Sequence, residues 1–560
     1  MEKQRPRPTF LGSLLSVLII GGLIAFGSYV VMQKRQAPPS TDTQTSTAQT
    51  ATTEEGAAPA ATAELQQTVP VLAPPAAYEP KDNTVAVELS EYAGYAGLIA
   101  ANGGLAPSED SVFFRKHGFK VKLTLSEEES WSALNSGEIG ASATTVDVLA
   151  VYGRQFQVTV PAQIGYSRGA DGIVVRNEVK RINDLRGKVI AAAQFTEAEF
   201  FIRFLAQEAG LEIHLLADLD AAPDPGKVNL VFTDDGFAAG DLFLEDLKSG
   251  ANRLAGCVTW EPKTSEVAAA SAGKARVLTT NRNLLIVADI LVVNRGLAEK
   301  HPQIVAGLVE GLIEGNRRMR DEPDRYAETV AKAFGWSVTD LKDELQRVHL
   351  SNLPENLAFF SGAIDAAGSF GGIYQSAVLA YGPQLIRDPV DSDRFANLAA
   401  LQTLEQSGAY KDQVVLIAPI KTTGAGVIEE DPLLSKDIRF FFEPNSAVLD
   451  MTKEENLKDL DGIRNLLQVS PGSTVLLRGH VDNALVEDFR REGGEPFVRQ
   501  MALRALELSK NRAAAIKRLL VERYRVTDAR IDVVGRGWEE PAGTDSDLNR
   551  RVEVQWYTIE

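Results

Sequence analysis

Thr84-Val85-Ala86-Val87-Glu88-Leu89 reads as a β-strand, and Ser90-Glu91-Tyr92-Ala93-Gly94-Tyr95-Ala96-Gly97 after it as a loop running into a helix. The same unit recurs downstream. Lys120–Leu125 is a strand, followed by the amphipathic stretch Glu127–Ser136 and a strand at Ile139–Ser142. Asp171–Val175, Lys188–Ala192, Val228–Phe232 and Ile290–Val293 are short apolar runs of the kind buried on both faces of a sheet. Strands separated by helical stretches predict a doubly wound α/β architecture for residues 84–405. Such sheets bind ligands at the carboxyl ends of their strands. Asp234, Asp235 and Glu261 fall near predicted strand ends.

Four motifs in this region carry a resemblance: Ser90-Glu91-Tyr92…Gly97, Leu134-Asn135-Ser136-Gly137-Glu138-Ile139-Gly140, Ile182-Asn183-Asp184-Leu185-Arg186-Gly187-Lys188-Val189 and Thr259-Trp260-Glu261-Pro262. Together they resemble the periplasmic substrate-binding proteins of the nitrate/sulfonate/thiamine-precursor type. The resemblance implies a type II periplasmic-binding-protein fold, with two α/β lobes joined by two crossover strands that close over a small-molecule solute. Asp171–Arg176 and Ile290–Asn294 would be the crossovers. By position, the solute would meet Ser90 and Tyr92, then Thr144 and Thr145, then Thr196, Trp260 and Glu261. At Thr196 a structural role competes. Thr196-Glu197-Ala198-Glu199 has the spacing of a capping box, which satisfies a helix's own free N–H groups. Gly165-Tyr166-Ser167-Arg168-Gly169 fits the G-x-S-x-G nucleophile elbow, but that elbow needs a helix after it and here another strand follows. No enzymatic activity, metal or cofactor is expected.

Composition narrows the classes further. The 560 residues exceed one domain. Fifty-eight basic and 76 acidic side chains leave a net charge of −18, which argues against a general nucleic-acid binder. Residues 431–560 hold 20 basic and 23 acidic side chains, and residues 84–430 carry −14. The acid excess therefore belongs to the α/β region of the chain, where it favours a cationic, zwitterionic or neutral ligand over an oxyanion. Cys257 is the single cysteine, so no intramolecular disulfide and no cysteine-based zinc site can form.

The N-terminal region reads as an anchor. Pro8 to Gln33 is a run of 26 uncharged residues, long enough to span a bilayer as a helix. It closes on Lys34-Arg35, which favours an uncleaved transmembrane segment (domain 1–36) over a signal peptide. No ionisable residue lies inside the run, so it carries no sign of a proton relay. Residues 37–83 are rich in Ala, Thr, Pro and Gln with one aromatic, Tyr78, and are expected to form a disordered linker.

Residues 431–560, reached through a linker at 406–430, read β-α-β-α-β. The expected elements are strands Ile438–Phe442, Thr474–Leu477, Ile531–Val534 and Val552–Tyr557, with helices Asn456–Leu467 and Leu506–Val521. On the second helix, Leu508, Arg512, Ile516 and Leu519 share a face, so Arg512 sits in an apolar stripe. Such a guanidinium needs a carboxylate, as Asp482 would supply, or a route to water at the stripe's edge.

The ordered set Phe440-Phe441-Phe442-Glu443-Pro444-Asn445-Ser446-Ala447, Gly479-His480-Val481-Asp482, Leu508-Ser509-Lys510-Asn511-Arg512-Ala513, Gly535-Arg536-Gly537-Trp538…Pro541 and Asn549-Arg550-Arg551-Val552 resembles the OmpA-like peptidoglycan-binding domain. That resemblance implies an α+β fold and a partner, the diaminopimelate of the peptidoglycan stem peptide. Asp482 would accept from its ammonium and Arg512 would grip its carboxylate. Asn549 and Arg551 match residues lining the same site, and Glu443 stands where the family often has Asp. Thirty residues separate Asp482 from Arg512, more than the family's usual spacing, so 483–507 is expected to be an enlarged loop. Peptidoglycan lies outside the cytoplasmic membrane. The resemblances thus imply an inner-membrane protein with periplasmic domains, partnered by cell wall, solute and the permease of an ABC-type importer. A sensor or a plain membrane-to-wall linker remains the alternative.

Overall fold

Two strands that alternate buried and more open positions and two that are buried throughout begin the first sheet. In the computed structural model, which describes residues 61–126, 130–362, 368–417, 432–443, 446–470, 472–544 and 546–557, these are β1 (Thr84–Leu89), β2 (Lys120–Leu125), β3 (Ala141–Thr145) and β4 (Val158–Ser167). The chain then crosses to a second sheet made of β5 (Asp171–Arg176), β6 (Val189–Ala193), β7 (Ile213–Leu215), β8 (Val228–Thr233), β9 (Gly256–Trp260) and β10 (Ala275–Thr280). It returns to the first for β11 (Ala288–Asn294) and β12 (Val348–Leu350). The orders are β12-β4-β11-β3-β1-β2 and β10-β5-β9-β6-β8-β7. Both sheets mix parallel pairs, such as β1 with β2 and β6 with β8, with antiparallel ones at the crossings, such as β11 with β4 and β5 with β9. This is the two-lobed α/β arrangement with two crossings. The crossing residues themselves are 168–170 and 281–287, just before β5 and β11, so the strands expected to be the crossovers are the first elements after them.

A correction concerns residues 61–83, expected to be part of a disordered linker. They form an extended strap hydrogen-bonded to both lobes. Ala63 N donates to Phe232 O (2.8 Å), and Gln66 and Gln194 exchange two bonds (3.0 and 2.9 Å) on the second lobe. Further along, Leu72 N donates to Gln155 Oε1 (3.0 Å), Asn135 Nδ2 to Ala73 O (2.7 Å) and Asn294 Nδ2 to Ala76 O (2.9 Å) on the first. Leu72 and Tyr78 are buried, and Tyr78 Oη accepts from Ala86 N of β1 (2.9 Å). Buried amide side chains of Asn135 and Asn294 replace a sheet partner for this backbone.

The first part of the expected linker at 406–430 is also docked. Leu416 N and Ile417 N both donate to Glu355 Oε1 (2.7 and 2.9 Å) of the helix Leu353–Ser361. The expected anchor at Pro8–Gln33 and residues 37–60 lie outside the described residues. Among the described residues no helix is long and apolar enough to cross a membrane.

The third sheet, order β13-β16-β14-β15, comprises β13 (Leu434–Ile438), β14 (Thr474–Gly479), β15 (Ile531–Gly535) and β16 (Val552–Tyr557). Its core holds the fully buried Trp556 with Leu477 and Ile516. The helices Glu454–Val469 and Val486–Glu522 belong to the same unit, giving an α+β fold. Two expectations change. The first strand ends at Ile438 rather than running on to Phe442, because Ile438 pairs with Val552 and β16 extends no further. Residues 486–507 are helical, not loop. The chain breaks only at Gly493-Gly494, where Gly494 takes φ 64°, a conformation cheap for glycine, and Pro496 reopens the helix. This third unit touches the second lobe. Ile182 N donates to Leu433 O (2.9 Å), and Asn183 exchanges bonds with the Ser435 backbone (2.8 Å each). It also touches the second crossing, where Leu285 N donates to Val469 O (2.7 Å).

Candidate functional sites

Between the two lobes lies a cavity of about 180 Å³. From the first lobe come Ser90, Tyr92, Tyr95 and Trp131, and from the end of β3 come Thr144 and Thr145. Ser167, Asp171 and Asp289 line it from the strand ends beside the crossings, and the second lobe adds Gln194, Thr196, Glu197, Asp234, Asp235 and Trp260. Backbone constraints position these walls. A Cβ on Gly236 would fall 2.2 Å from a Trp260 ring carbon, so the helix start approaches Trp260 only as glycine. Tyr92 and Tyr95 meet edge to face, with centroids 5.2 Å apart.

Six of the seven expected solute contacts line this cavity, and the seventh, Glu261, does not. Its buried carboxylate instead accepts from Ser265 N (3.0 Å) and Ser265 Oγ (2.8 Å) and pairs with Arg347. Glu261 therefore caps the following helix. The capping box expected at Thr196 does not form, because Glu199 reaches the N–H of Phe195 rather than that of Thr196. Thr196 Oγ1 donates back to Ala193 O (3.1 Å), while Glu199 accepts from Phe195 N (2.6 Å), so the Thr196 hydroxyl is not used as a cap. Of the acids near strand ends, Asp235 caps its helix by accepting from Ala238 N (2.8 Å).

The carboxylates that matter most were not singled out by sequence reasoning. Asp171 begins β5 and Asp289 lies one residue into β11, each the charged residue just after a crossing. Asp171 Oδ2 accepts from Asn281 Nδ2 (2.9 Å), and Asp289 Oδ1 accepts from Tyr95 Oη (3.2 Å). Burial drives Asp171 up to about 6 despite the Asn281 bond. Burial and the neighbouring Asp171 charge hold Asp289 well above the carboxylate range. Burial, with Asp289 beside them, raises Tyr92 and Tyr95 as well. The Ser167 hydroxyl lies against Asp171 and Tyr92, and that of Thr145 against Asp147, while Asp289 Oδ2 is buried with no hydrogen-bond partner among the described residues. An inward-facing set of this kind is suited to holding a polar small molecule.

A second pocket, about 380 Å³, opens in the C-terminal unit and is lined by Phe440–Glu443, His480–Asp482, Leu508, Arg512, Arg550 and Arg551. Gly479 lets the loop bearing Asp482 pack on the helix bearing Arg512, since a Cβ there would sit 2.0 Å from Ser509 O. The buried stripe of that helix is Ala505, Ser509, Ala513, Ile516 and Leu520. Arg512 stands at its edge, facing the pocket. Instead of closing an ion pair with Asp482, it donates to Ser446 O (3.1 Å) and lies over the Phe442 ring, 5.0 Å from its centroid. Burial and the Arg550 charge lower its pKa, with Asp482 opposing them. Asp482 is approached by Arg550, whose Nε lies 3.6 Å from Oδ2. Sequence reasoning picked the neighbours of this residue. Arg551 does line the pocket and holds Asp437 (3.0 Å), and Glu443 lines it from an exposed position. Asn549 does not. It is buried, accepts from Ala542 N (2.7 Å) and Gly543 N (3.3 Å), and donates to Gly543 O (3.0 Å), which fixes the adjoining turn.

Residues 441–555 match the OmpA family. The OmpA domain thus spans the third sheet from just after β13 and contains the pocket-lining residues Asp482, Arg512 and Arg550. The chain is similar to outer membrane porin F of Pseudomonas aeruginosa, 22% identical over 141 residues, or 24% of this chain and 35% of that protein. It therefore spans about a third of the length of that relative. Among solved structures, it is similar to the alkanesulfonate-binding protein SsuA from Xanthomonas axonopodis pv. citri bound to MOPS, at 14% identity and TM-score 0.42, covering 57% of this chain and 100% of that one. The periplasmic aliphatic sulphonate binding protein SsuA from Escherichia coli is similar at 17% identity and TM-score 0.41, covering 57% of this chain and 97% of that one.

Proposed function

We propose that this chain is a non-catalytic periplasmic solute-binding protein, anchored in the inner membrane through Pro8–Gln33 and held on peptidoglycan by its OmpA domain. The observation that carries the reading is the pocket in which Asp482, Arg512 and Arg550 converge inside the OmpA match. A carboxylate beside two guanidinium groups complements a stem-peptide residue that carries both an ammonium and a carboxylate. The cavity between the lobes supports the other half, since the hydroxyl and carboxyl side chains that line it suit a captured polar solute. Delivery of that solute to the permease of an ABC-type importer is the role we infer. A sensor is the second reading, favoured by the bond between Leu285 in the second crossing and Val469 of the C-terminal unit.

Cosedimentation with purified peptidoglycan tests the wall half. Wild-type protein should pellet, while Asp482→Ala and Arg512→Ala should stay in the supernatant with unaltered melting temperatures. Unchanged pelleting of both variants would refute the assignment.

A further inference from the structure

The cavity between the lobes has a charge character that the solute-binding reading leaves open. Carboxyl groups line it from both lobes and from beside both crossings, and among the described residues no Lys, Arg or His lines it. Acidic surfaces are usually just solvated, but Asp289, which lines this space, is 3% exposed and its Oδ2 has no hydrogen-bond partner among the described residues. A buried carboxylate oxygen left unpaired is costly, and a ligand N–H with positive charge is the group that removes that cost. An anion would have to shed its water beside Asp171, Asp234 and Asp235, where like charges disfavour it. The remaining walls agree. Tyr92, Tyr95, Trp131 and Trp260 present aromatic surface to the cavity, and aromatic faces attract cations.

We propose that the solute is a small organic cation bearing N–H groups, an alkylammonium or amidinium, that donates to Asp289 Oδ2 between the aromatic walls. The proposal rests on the solute-binding reading and sharpens it.

Titration calorimetry and thermal shift on the full chain test it at neutral pH. The cation probes are propylamine, putrescine and guanidine; propane-1-sulfonate and nitrate serve as anions, and butyramide as the neutral control. Saturable binding of at least one cation, with a raised melting temperature and no response to the anions, is expected. Asp289→Asn should weaken that cation by about tenfold or more, as loss of a charge-assisted hydrogen bond does. Should Asp289→Asn fail to fold, the cation-against-anion selectivity of the wild type decides alone. Binding of propane-1-sulfonate, nitrate or butyramide in preference to every cation overturns the inference and leaves solute binding standing. Equal cation affinity in folded Asp289→Asn also overturns it. If no probe binds, and mass spectrometry finds no small molecule released on denaturing the purified protein, the inference and the solute-binding reading both fall.

Discussion

Asp147 lies in the first turn of the helix Val146–Tyr152, directly after the cavity-lining Thr144 and Thr145. Acids are favoured at helix starts when water or N–H groups solvate them. This one is fully buried, and the Thr145 hydroxyl and its own backbone N–H offset that burial only in part. Burial, with the charges of Asp171 and Glu199 adding to it, raises its pKa from 3.8 to about 7. The sign follows from linkage. The unfolded chain loses this proton near 3.8 and the folded chain near 7, so folding is penalised progressively as pH climbs through that window. At 1.36 kcal/mol per unit, the penalty is about 2 kcal/mol at pH 5 and about 4 kcal/mol at pH 8. Asp147→Asn keeps the shape and abolishes the titration. Its own buried amide carries a cost, but one that does not change between the two pH values. The variant should therefore gain about 2–3 kcal/mol on the wild type between pH 5 and pH 8, or roughly 5 °C in melting temperature for a unit of this size. Asp171 and Asp289 titrate in both proteins, so their contributions largely cancel in the comparison. Thermal denaturation of both proteins at both pH values measures the double difference. A melting-temperature offset that is the same at pH 5 and pH 8 would refute the argument.

Two further perturbations separate structural from binding roles. Asn549→Ala removes the acceptor for two backbone N–H groups and should cost about 1–3 kcal/mol of OmpA-domain stability. Below its lowered melting temperature it should still pellet with peptidoglycan; lost pelleting at unchanged stability would return Asn549 to the pocket. Tyr78→Ala deletes a ring that is 5% exposed and a hydroxyl bonded to β1, so the two-lobed unit should lose about 3–5 kcal/mol. Limited proteolysis within residues 61–83 should accelerate with it, and a variant that melts and cleaves like the wild type would show that the strap contributes nothing.

Strands were legible by one of two patterns. Val228–Thr233 is an apolar run buried throughout, whereas β1, β2 and Val552–Tyr557 alternate apolar with polar residues, and β1 and β2 carry the expected limits. What escaped was whatever depends on partners distant in sequence. The strap's Ala, Thr and Pro composition is that of an unstructured tether, and its order comes from Gln155, Asn135 and Asn294, which lie 59 to 218 residues away. Residues 486–507 were misread because family spacing was weighed above local propensity, although Phe497–Leu506 lacks glycine and proline. In the cavity, motif position found Ser90, Tyr92, Thr144, Thr145, Thr196 and Trp260. The pair Asp171 and Asp289 had a signal that went unused, namely a carboxylate at the start of an otherwise apolar strand beside a crossing.

The order of attachments along the chain bears on how the two sites can work together. Entering from the N-terminal side, the strap meets the second lobe first, at Phe232 and Gln194, and the first lobe only from Leu72 onward. Entering from the C-terminal side, β13 meets the second lobe at Ile182 and Asn183, whereas residues 413–417, earlier in the chain, are tied to the helix Leu353–Ser361 behind β12 of the first sheet. Both outer ends therefore reach the second lobe before the first. While those bonds hold, a pull applied between residue 61 and the OmpA domain is borne by the second lobe, and the first lobe lies outside the path. The first lobe carries Ser90, Tyr92, Tyr95 and Trp131, one whole wall of the cavity. An arrangement that spares this wall from the load leaves lobe closure over a solute compatible with a fixed attachment at the other end.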